Sequence, residues 1–355
     1  MKVVIVGGGY WGSKHVRVLA QMSEVDRVLL VEPRADRRRA LTKSFSNVVA
    51  VADLDKALDE GDAVVVATPP RTHTELALQA LSAGKPVLVE KPLALSTAEA
   101  SSLIAAAERA DLTLMVGHTF RFNAAVWKLR ELIVNNELGE LFYIDSARLN
   151  LGLYQDDVNV LWDLAPHDIS IFNFLLDATP TAVQAWGSAH ANVLEDVASV
   201  RLTYDEPRVV AHAHVSWLDP CKVRRVTVVG SRKMAVYNDL SSDEPIRLYD
   251  KGVHRSDIPQ TLPSNSDGLH AMPLSYRYGG IVSPYVPFDE PLQVQDHHFI
   301  ECVLTGAQPE SDGAEGMAVV DVLEAAETSL QTGQAVSLSQ PTRLLAAVGG
   351  QEALA

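Results

Sequence analysis

Thiols and positive charge are both scarce in this chain. Cys221 and Cys302 are the only cysteines among 355 residues, which excludes a disulfide framework and fits a reducing cytosol. The 30 Lys and Arg residues are outnumbered by 45 Asp and Glu, giving a formal net charge of −15. Because a nucleic-acid backbone needs a basic partner surface, no nucleic-acid partner is expected. A small anionic substrate, held by a few local cations, stays compatible with this charge.

Long apolar runs are missing as well. No run approaches membrane-spanning length, so no membrane partner is expected. Residues 1–9 contain four apolar residues and then three glycines, which predicts a first strand and not a signal peptide. We therefore expect a cytoplasmic protein, and a chain of this length is expected to form two domains.

The first 120 residues alternate short apolar runs with amphipathic stretches. This alternation predicts a doubly wound parallel α/β sheet. The predicted strands cover residues 2–6, 27–31, 48–51, 63–67, 86–89 and 112–116. Helices are predicted over 72–83 and 96–109, the second opening with a Ser96-x-x-Glu99 capping box. Residues 1–120 are thus predicted to form the first domain, a doubly wound (Rossmann-type) domain.

The pattern changes after Phe120, where a C-terminal α/β domain with a large, open and mainly antiparallel sheet is expected over 121–340. Its predicted strands cover 141–151, 182–190, 197–204, 208–216, 223–229 and 234–238. Its predicted helices cover 124–134, 162–176, 294–304 and 313–331. Residues 239–292 are expected to form long loops, and 341–355 a flexible tail. An uncovered sheet face predicts a homodimer or homotetramer.

A glycine-rich turn, Gly7-x-Gly9-x-x-Gly12, follows the first strand and opens a helix whose first residues are Tyr10 and Trp11. Such a turn lets backbone approach a pyrophosphate at a helix N-terminus. The second strand ends in Glu32, where a carboxylate can accept bonds from an adenosine ribose. The pattern predicts dinucleotide binding. A methyltransferase that uses S-adenosylmethionine shares these features, and so does an unrelated glycine-rich turn.

Glu32 also bears on the choice of cofactor. A carboxylate there repels a 2′-phosphate, which favours NAD over NADP. Four arginines follow closely, any of which could reach a phosphate or simply form the solvated face of a helix; they are Arg34, Arg37, Arg38 and Arg39.

Lys91 follows a buried strand and precedes Pro92. The carboxyl edge of a parallel sheet is where open α/β folds bind ligands, so Lys91 is read as a fixed cation facing a crevice. A methyltransferase would not need it. Further along, Asp163 and His167 stand four residues apart and share one face if helical. A carboxylate beside an imidazole would fix its tautomer and raise its basicity, as a proton acceptor requires, and Pro166 suggests that the helix begins there.

In this order and spacing, the glycine-rich turn, Glu90-Lys91-Pro92 and Asp163-x-x-x-His167 resemble the glucose–fructose oxidoreductase/inositol dehydrogenase/rhizopine catabolism (Gfo/Idh/MocA) family. The resemblance covers nearly the whole chain. It implies an NAD(P)-dependent oxidoreductase of sugars, cyclitols or nucleotide sugars, with Lys91, Asp163 and His167 at the catalytic positions. By the same resemblance, side chains that line the nicotinamide and ribose are Thr68, Pro69, His73, Glu90 and Arg121. The chain departs from many relatives at Ala165 and Ser170, which bears on the substrate.

The sequence of residues 161–170 most resembles the family branch that oxidises nucleotide-activated sugars at C3. In that branch Trp162 would stack against the pyranose or form a wall beside it; the alternative is that Trp162 is a plain core residue. The expected reaction is oxidation of a secondary hydroxyl to a ketone. His167 takes the hydroxyl proton and Lys91 stabilises the developing charge, or the two exchange roles. A free cyclitol or aldose dehydrogenase and a non-catalytic dinucleotide-binding regulator are the alternatives. No metal site is proposed.

Overall fold

The computed structural model describes residues 1–51, 53–191, 193–255 and 274–338; the predicted tail over 341–355 lies outside these ranges. Its first sheet confirms the predicted doubly wound fold. Six parallel strands lie in the order β3-β2-β1-β4-β5-β6. They are β1 (Lys2–Val6), β2 (Arg27–Val31), β3 (Val48–Ala50), β4 (Ala63–Val66), β5 (Val87–Glu90) and β6 (Leu114–Gly117). The order reverses between β1 and β4, where such sheets open a ligand crevice.

Five helices pack on this sheet in the described ranges. They are α1 (Tyr10–Leu19), α2 (Ala35–Ser44), α3 (Leu54–Glu60), α4 (His73–Ser82) and α5 (Thr97–Ala110). β4, β5 and β6 are buried along their whole length because helices cover both faces. The predicted cap of α5 is present, since Ser96 Oγ accepts the Glu99 N–H at 3.2 Å.

The second sheet has nine described strands in the order β14-β13-β12-β11-β7-β10-β9-β8-β15. They are β7 (Leu141–Leu151), β8 (Ala182–Ser188), β9 (Val197–Tyr204), β10 (Val209–Ser216), β11 (Leu218–Gly230), β12 (Met234–Asn238), β13 (Ile246–Arg255), β14 (Leu274–Val282) and β15 (Val336–Ser337). Every pairing is antiparallel except that of β7 with β10, so the predicted mainly antiparallel sheet is confirmed.

The prediction of continuous loop over 239–292 was wrong. β13 and β14 pair with each other there, and β13 also extends the sheet from β12. Aromatic side chains of β14 are exposed, with Tyr276 and Tyr278 at 62% and 78%. Because the strand buries little of its surface, it lacks the period-two burial pattern by which strands are recognised in sequence. Residues 256–273 lie outside the described ranges.

The described ranges contain four further helices: α6 (Ala124–Val134), α7 (Val160–Leu176), α8 (Pro291–Thr305) and α9 (Gly313–Thr332). Of these, α8 packs against α1 and the apolar core of the first sheet. α7 is the most buried of them and begins at Asn159, whose side chain accepts the Trp162 N–H at 3.2 Å. Pro166 therefore lies in the helix interior, which corrects the expectation that the helix begins there. Among the helices of the described ranges, none has the length and apolar character needed to cross a membrane.

Candidate active site

The glycine-rich turn at the end of β1 is shaped by close backbone approach. Gly7 has φ of +97°, and a Cβ on Gly12 would lie 1.9 Å from the Gly7 carbonyl oxygen. Gly9, by contrast, has open space, since the nearest atom to a Cβ there is Arg37 Nη1 at 3.6 Å. α1 starts directly after Gly9 with no side-chain cap. The uncapped helix N-terminus beside an open cradle fits a pyrophosphate.

Glu32 is held beside this turn by main-chain donors. Its Oε2 accepts the Gly8 N–H at 2.6 Å and its Oε1 accepts the Arg34 N–H at 2.8 Å. Arg37 Nη1 lies 3.8 Å from Oε2. The carboxylate is thus fixed at the end of β2, where it fits the ribose of a dinucleotide. In the first turn of α1, Tyr10 is exposed and its ring meets that of Trp11 edge-on at 5.5 Å.

Lys91 stands at the end of β5 and reaches α7. Its Nζ donates to the Asp163 carbonyl oxygen at 2.6 Å and to Asp163 Oδ1 at 3.1 Å. The other carboxylate oxygen, Oδ2, accepts the indole N–H of Trp217 at 3.0 Å. Only 9% of the Lys91 side chain is exposed. Asp163 therefore fixes a nearly buried ammonium group at the sheet edge.

His167 lies one turn further along α7 and is itself buried. Its ring meets that of Phe120 edge-on at 5.1 Å, and its Nδ1 has no hydrogen-bond partner among the described residues. Burial, followed by the positive charges of Lys91 and Arg148, lowers the pKa of His167 well below its ordinary value. The imidazole is therefore neutral at neutral pH.

The predicted Asp163–His167 pair is not formed, which corrects the role given to Asp163. Both of its carboxylate oxygens are taken by Lys91 and Trp217. No carboxylate raises the basicity of His167, whose pKa falls instead. The four-residue spacing places both residues on one face of the helix. The Asp163 carboxylate nevertheless accepts hydrogen bonds from the Lys91 ammonium and the Trp217 indole, and the first of these is charge-assisted.

Glu90 is turned away from the crevice into a buried chain of charges. Its Oε1 lies 3.0 Å from His15 Nε2, while His15 Nδ1 lies 2.9 Å from Asp296 Oδ1 on α8. Burial opposes a charge on His15, but Asp296 and then Glu90 outweigh it and raise the pKa of His15 to about 10. Because Glu90 Oε2 also accepts the Lys91 N–H at 3.2 Å, this chain ends at the backbone of Lys91.

Three other predicted site residues are buried with partners of their own. The two ring nitrogens of His73 lie 2.8 Å and 2.9 Å from the carbonyl oxygens of Pro92 and Thr68. Arg121 donates to Glu310 at 3.0 Å and its guanidinium lies 3.9 Å from the Phe174 ring centre. The Trp162 indole donates to Glu327 Oε2 at 2.8 Å and is only 4% exposed.

His73 joins the turn after β4, which carries Thr68 and the exposed Pro69, to the turn after β5, which carries Lys91 and Pro92. Sequence reasoning missed Trp217, His15 and Asp296. None carries a local signal, because each acts on a residue at least 54 positions away. Among the described residues, no group of His, Cys, Asp and Glu side chains is placed to hold a metal ion.

Two family models match this chain. Residues 1–118 match the oxidoreductase family with an NAD-binding Rossmann fold, and residues 126–236 match the GFO/IDH/MocA C-terminal domain. Together they cover well over half of the sequence. The chain belongs to the GFO/IDH/MocA family of oxidoreductases.

Relatives with known activities and structures agree with this membership. UDP-N-acetylglucosamine 3-dehydrogenase of Acidithiobacillus ferrooxidans is 29% identical over 71% of this chain and 78% of its own length. Inositol 2-dehydrogenase of Rhodococcus erythropolis is 29% identical over 97% of this chain and 96% of its own. The crystal structure of GenD2 from gentamicin A biosynthesis, in complex with NAD, is 26% identical with a TM-score of 0.78, covering 96% of this chain and 97% of that one. The first two of these relatives are thus a nucleotide-sugar dehydrogenase and a cyclitol dehydrogenase.

Proposed function

We propose that this protein is an NAD-dependent dehydrogenase that oxidises a secondary hydroxyl, at C3, of a nucleotide-activated sugar. The observation that carries the proposal is the arrangement at the crevice. A nearly buried Lys91 ammonium, held by Asp163 after the end of β5, lies close enough to His167 to lower the pKa of its imidazole. A fixed positive charge and a neutral base are the two groups that alcohol oxidation needs.

In this proposal His167 and Lys91 have different roles because their charges differ. His167 accepts the hydroxyl proton, which its low pKa leaves it free to do at neutral pH. Lys91 donates a hydrogen bond to the same oxygen as negative charge develops there, and Asp163 with Trp217 holds the ammonium in place. When bound, the nicotinamide supplies the hydride acceptor. Lys91 and His167 thus act on one oxygen from two sides.

The substrate class rests on two observations. The chain is similar to a UDP-N-acetylglucosamine 3-dehydrogenase, and the sequence of α7 around His167 resembles the nucleotide-sugar branch. The second candidate is a free cyclitol, favoured by a similarity to inositol 2-dehydrogenase that spans 97% of this chain. Trp162 favours neither the nucleotide-sugar nor the cyclitol candidate, because its side chain is buried in the core.

A substrate panel separates these candidates. The purified protein with NAD is offered UDP-hexoses, UDP-N-acetylhexosamines, free aldoses and free inositols, and reduced nicotinamide is followed by its near-ultraviolet absorbance. We expect turnover with a UDP-sugar at a kcat/KM at least about tenfold above that for any free sugar, a difference of about 1.4 kcal/mol. A preference for inositol would select the cyclitol reading. Binding of NAD without turnover of any alcohol would favour the non-catalytic regulator.

The cofactor preference is proposed from Glu32. Its carboxylate is fixed by two main-chain N–H groups and cannot easily turn away from a 2′-phosphate. We expect NAD to bind more tightly than NADP by about 1–3 kcal/mol. Glu32→Ala should narrow that gap, since Arg37, 3.8 Å away, then meets the phosphate unopposed. Titration of the wild type, Glu32→Ala and the exposed control Asp36→Ala with both cofactors measures the effect, and equal wild-type affinities would contradict it.

We also propose a cytoplasmic homo-oligomer assembled through the open face of the second sheet. Residues of β8 alternate between buried and exposed, and Trp186 on the open side is 62% exposed. An exposed apolar sheet face is a liability that a second copy would cover. Light scattering at micromolar concentration should give a dimeric or tetrameric mass, and Trp186→Glu should reduce it. A monomeric mass for the wild type would rule the assembly out.

A further inference from the structure

Arg224 is a cation of the second sheet that takes no part in the roles described so far. It lies on β11, directly opposite Arg148 of β7 in the antiparallel register. Side chains directly opposite each other lie on the same face of a sheet, with Cβ atoms about 5 Å apart. Arg148 reaches α7, where its Nε and Nη2 donate to Asp168 at 2.9 Å and 3.1 Å. Arg224 therefore lies on the face that α7 covers.

The burial pattern of β11 agrees with this placement. Val226 and Val228 are buried, whereas Arg225 is exposed. Because residues two apart in a strand share a face, Arg224 belongs to the covered face with the two valines, and Arg225 belongs to the other face. The Arg224 side chain is nevertheless 41% exposed. It therefore lies where the cover of that face ends and solvent reaches the strand.

This position also brings the charge of Arg224 close to His167. The Arg148 guanidinium lies 4.6 Å from the Phe120 ring centre, and the same ring meets that of His167 at 5.1 Å. Burial lowers the pKa of His167, and positive charges that include that of Arg224 lower it further. The exposed guanidinium is therefore a neighbour of the proposed proton acceptor.

The guanidinium of Arg224 is held from one side. Its Nη1 donates to Asp239 Oδ2 at 3.2 Å, and Asp239 Oδ1 accepts the hydroxyl of the buried Tyr237 at 2.8 Å. The Asp239 N–H also donates to the Arg224 carbonyl oxygen at 3.0 Å. Within the part of the chain that the structure describes, the Arg224 side chain makes no other hydrogen bond, so most of its N–H groups can still donate.

Lys91, Arg148 and Arg224 differ in how fully they are occupied. Arg148 is buried and donates to both carboxylate oxygens of Asp168, and Lys91 is only 9% exposed. Of these three cations, Arg224 alone combines a fixed position, exposure to solvent and unused donors. Like charges directly opposite each other on a sheet repel, so an anion bound at Arg224 would also offset its repulsion with Arg148.

We propose that Arg224 binds a phosphate group of the substrate and so selects a phosphorylated sugar over a free one. Parallel N–H groups of a guanidinium match two oxygens of a phosphate, and an uncharged hydroxyl offers no equivalent contact. This deepens the proposed function and rests on it, since there the phosphate is the diphosphate of a nucleotide-activated sugar. Arg224 is then a specificity-determining residue, and Asp239 is the residue that positions it.

Steady-state kinetics with saturating NAD test this on UDP-N-acetylglucosamine, glucose 6-phosphate and free inositol. We expect Arg224→Gln to raise KM for the phosphorylated substrate at least about tenfold, the scale for a lost charge-assisted hydrogen bond. The kcat should change little, because the phosphate contact is the same in the ground and transition states. Arg224→Lys and Asp239→Asn should give smaller increases. Arg225→Gln, the same change on the other face of β11, is the matched control.

Calorimetric titration of the NAD-saturated protein with UDP and with glucose 6-phosphate gives a second measurement that needs no turnover. Arg224→Gln should weaken the one that binds, and Arg225→Gln should not. An effect confined to glucose 6-phosphate would keep the phosphate contact and reject the nucleotide-activated substrate. If UDP-N-acetylglucosamine is oxidised with the same KM by wild type and Arg224→Gln, the proposed function stands and this inference is overturned. Binding of neither anion, or an equal KM increase for inositol, would also overturn it.

Discussion

His15 and His167 are two buried histidines of one protein with opposite electrostatics. His15 stands between the carboxylates of Glu90 and Asp296, and its pKa is raised to about 10 although burial alone would lower it. His167 has no acidic partner among the described residues and lies near Lys91 and Arg148, so its pKa is lowered. Burial is common to both. The sign of the neighbouring charges therefore decides which histidine is a permanent cation and which is a neutral base.

The two histidines also differ in what they connect. His15 joins α1, the end of β5 and α8 in a chain that includes the residue before Lys91. The Nδ1 of His167, by contrast, has no hydrogen-bond partner among the described residues. A charged, fully paired group suits a structural link, while a poorly paired neutral group suits proton transfer.

The largest expected effect is on stability and concerns the buried contacts of His15 with Glu90 and Asp296. His15→Gln leaves Glu90 and Asp296 buried without their shared cation, so the free energy of unfolding at neutral pH should fall by about 3–5 kcal/mol. Urea unfolding of wild type and variant measures this. The exposed change His297→Leu on the same helix as Asp296 should cost far less.

The contacts of His15 with Glu90 and Asp296 also predict how the free energy of unfolding depends on pH. The folded-state pKa of His15, about 10, exceeds its ordinary value of 6.5, so folding binds a proton between these limits. The stabilisation is fully present below pH 6.5 and is lost as the pH rises through about 10. The stability difference between wild type and His15→Gln should therefore shrink over this window. A difference independent of pH would mean that His15 is neutral in the folded protein.

The next effect concerns the crevice. Lys91→Ala should lower kcat by at least about a hundredfold, about 2.7 kcal/mol, the usual scale for a group that stabilises developing charge. NAD affinity should change little, because the proposed cofactor contacts are those of the glycine-rich turn and Glu32. The exposed Lys56→Ala should leave both unchanged. Near-normal turnover in Lys91→Ala would place the chemistry elsewhere, and loss of NAD binding would make Lys91 a cofactor residue.

The smallest effect tests the sign of the charges around His167. Lys91→Met removes a positive neighbour, so the pKa of His167 should rise towards its ordinary value. Lys91→Arg keeps the charge and should leave the pKa low. NMR titration of the His167 ring in the three proteins provides the comparison. Since the neutral ring is the active form, wild-type kcat/KM should not fall as the pH drops through 6.5.

The sequence predicted the groups that local patterns can reveal. Gly7, Gly9 and Gly12 stand at fixed offsets after an apolar strand, and Glu32 ends the next one; both signals lie within a single βαβ unit. Lys91 was placed at the sheet edge because a buried strand precedes it. By contrast, β14 escaped detection because an exposed strand leaves no burial pattern, and β13, its partner, lies in the same polar stretch of sequence.

Roles that depend on partners were not readable in the same way. The Asp163–His167 spacing suggested a pair, yet Asp163 meets Lys91 and Trp217, which are 72 and 54 residues away. His15 and Asp296 are 281 residues apart and touch. Spacing within a helix shows which side chains can reach each other. It does not show whether a side chain will instead bind a hydrogen-bond donor from a distant segment of the chain.

The sequence by itself determined the architecture and the inventory of the site. Apolar periodicity specifies which elements form, and glycine positions specify where a dinucleotide can approach, since both are properties of neighbouring residues. Only the tertiary structure decided the electrostatics: that two carboxylates raise the pKa of His15, that burial and nearby cations lower the pKa of His167, and that Asp163 contacts Lys91. The reason is physical, because a side chain's proton affinity depends on burial and on charges a few ångströms away, and in this chain those charges come from distant segments.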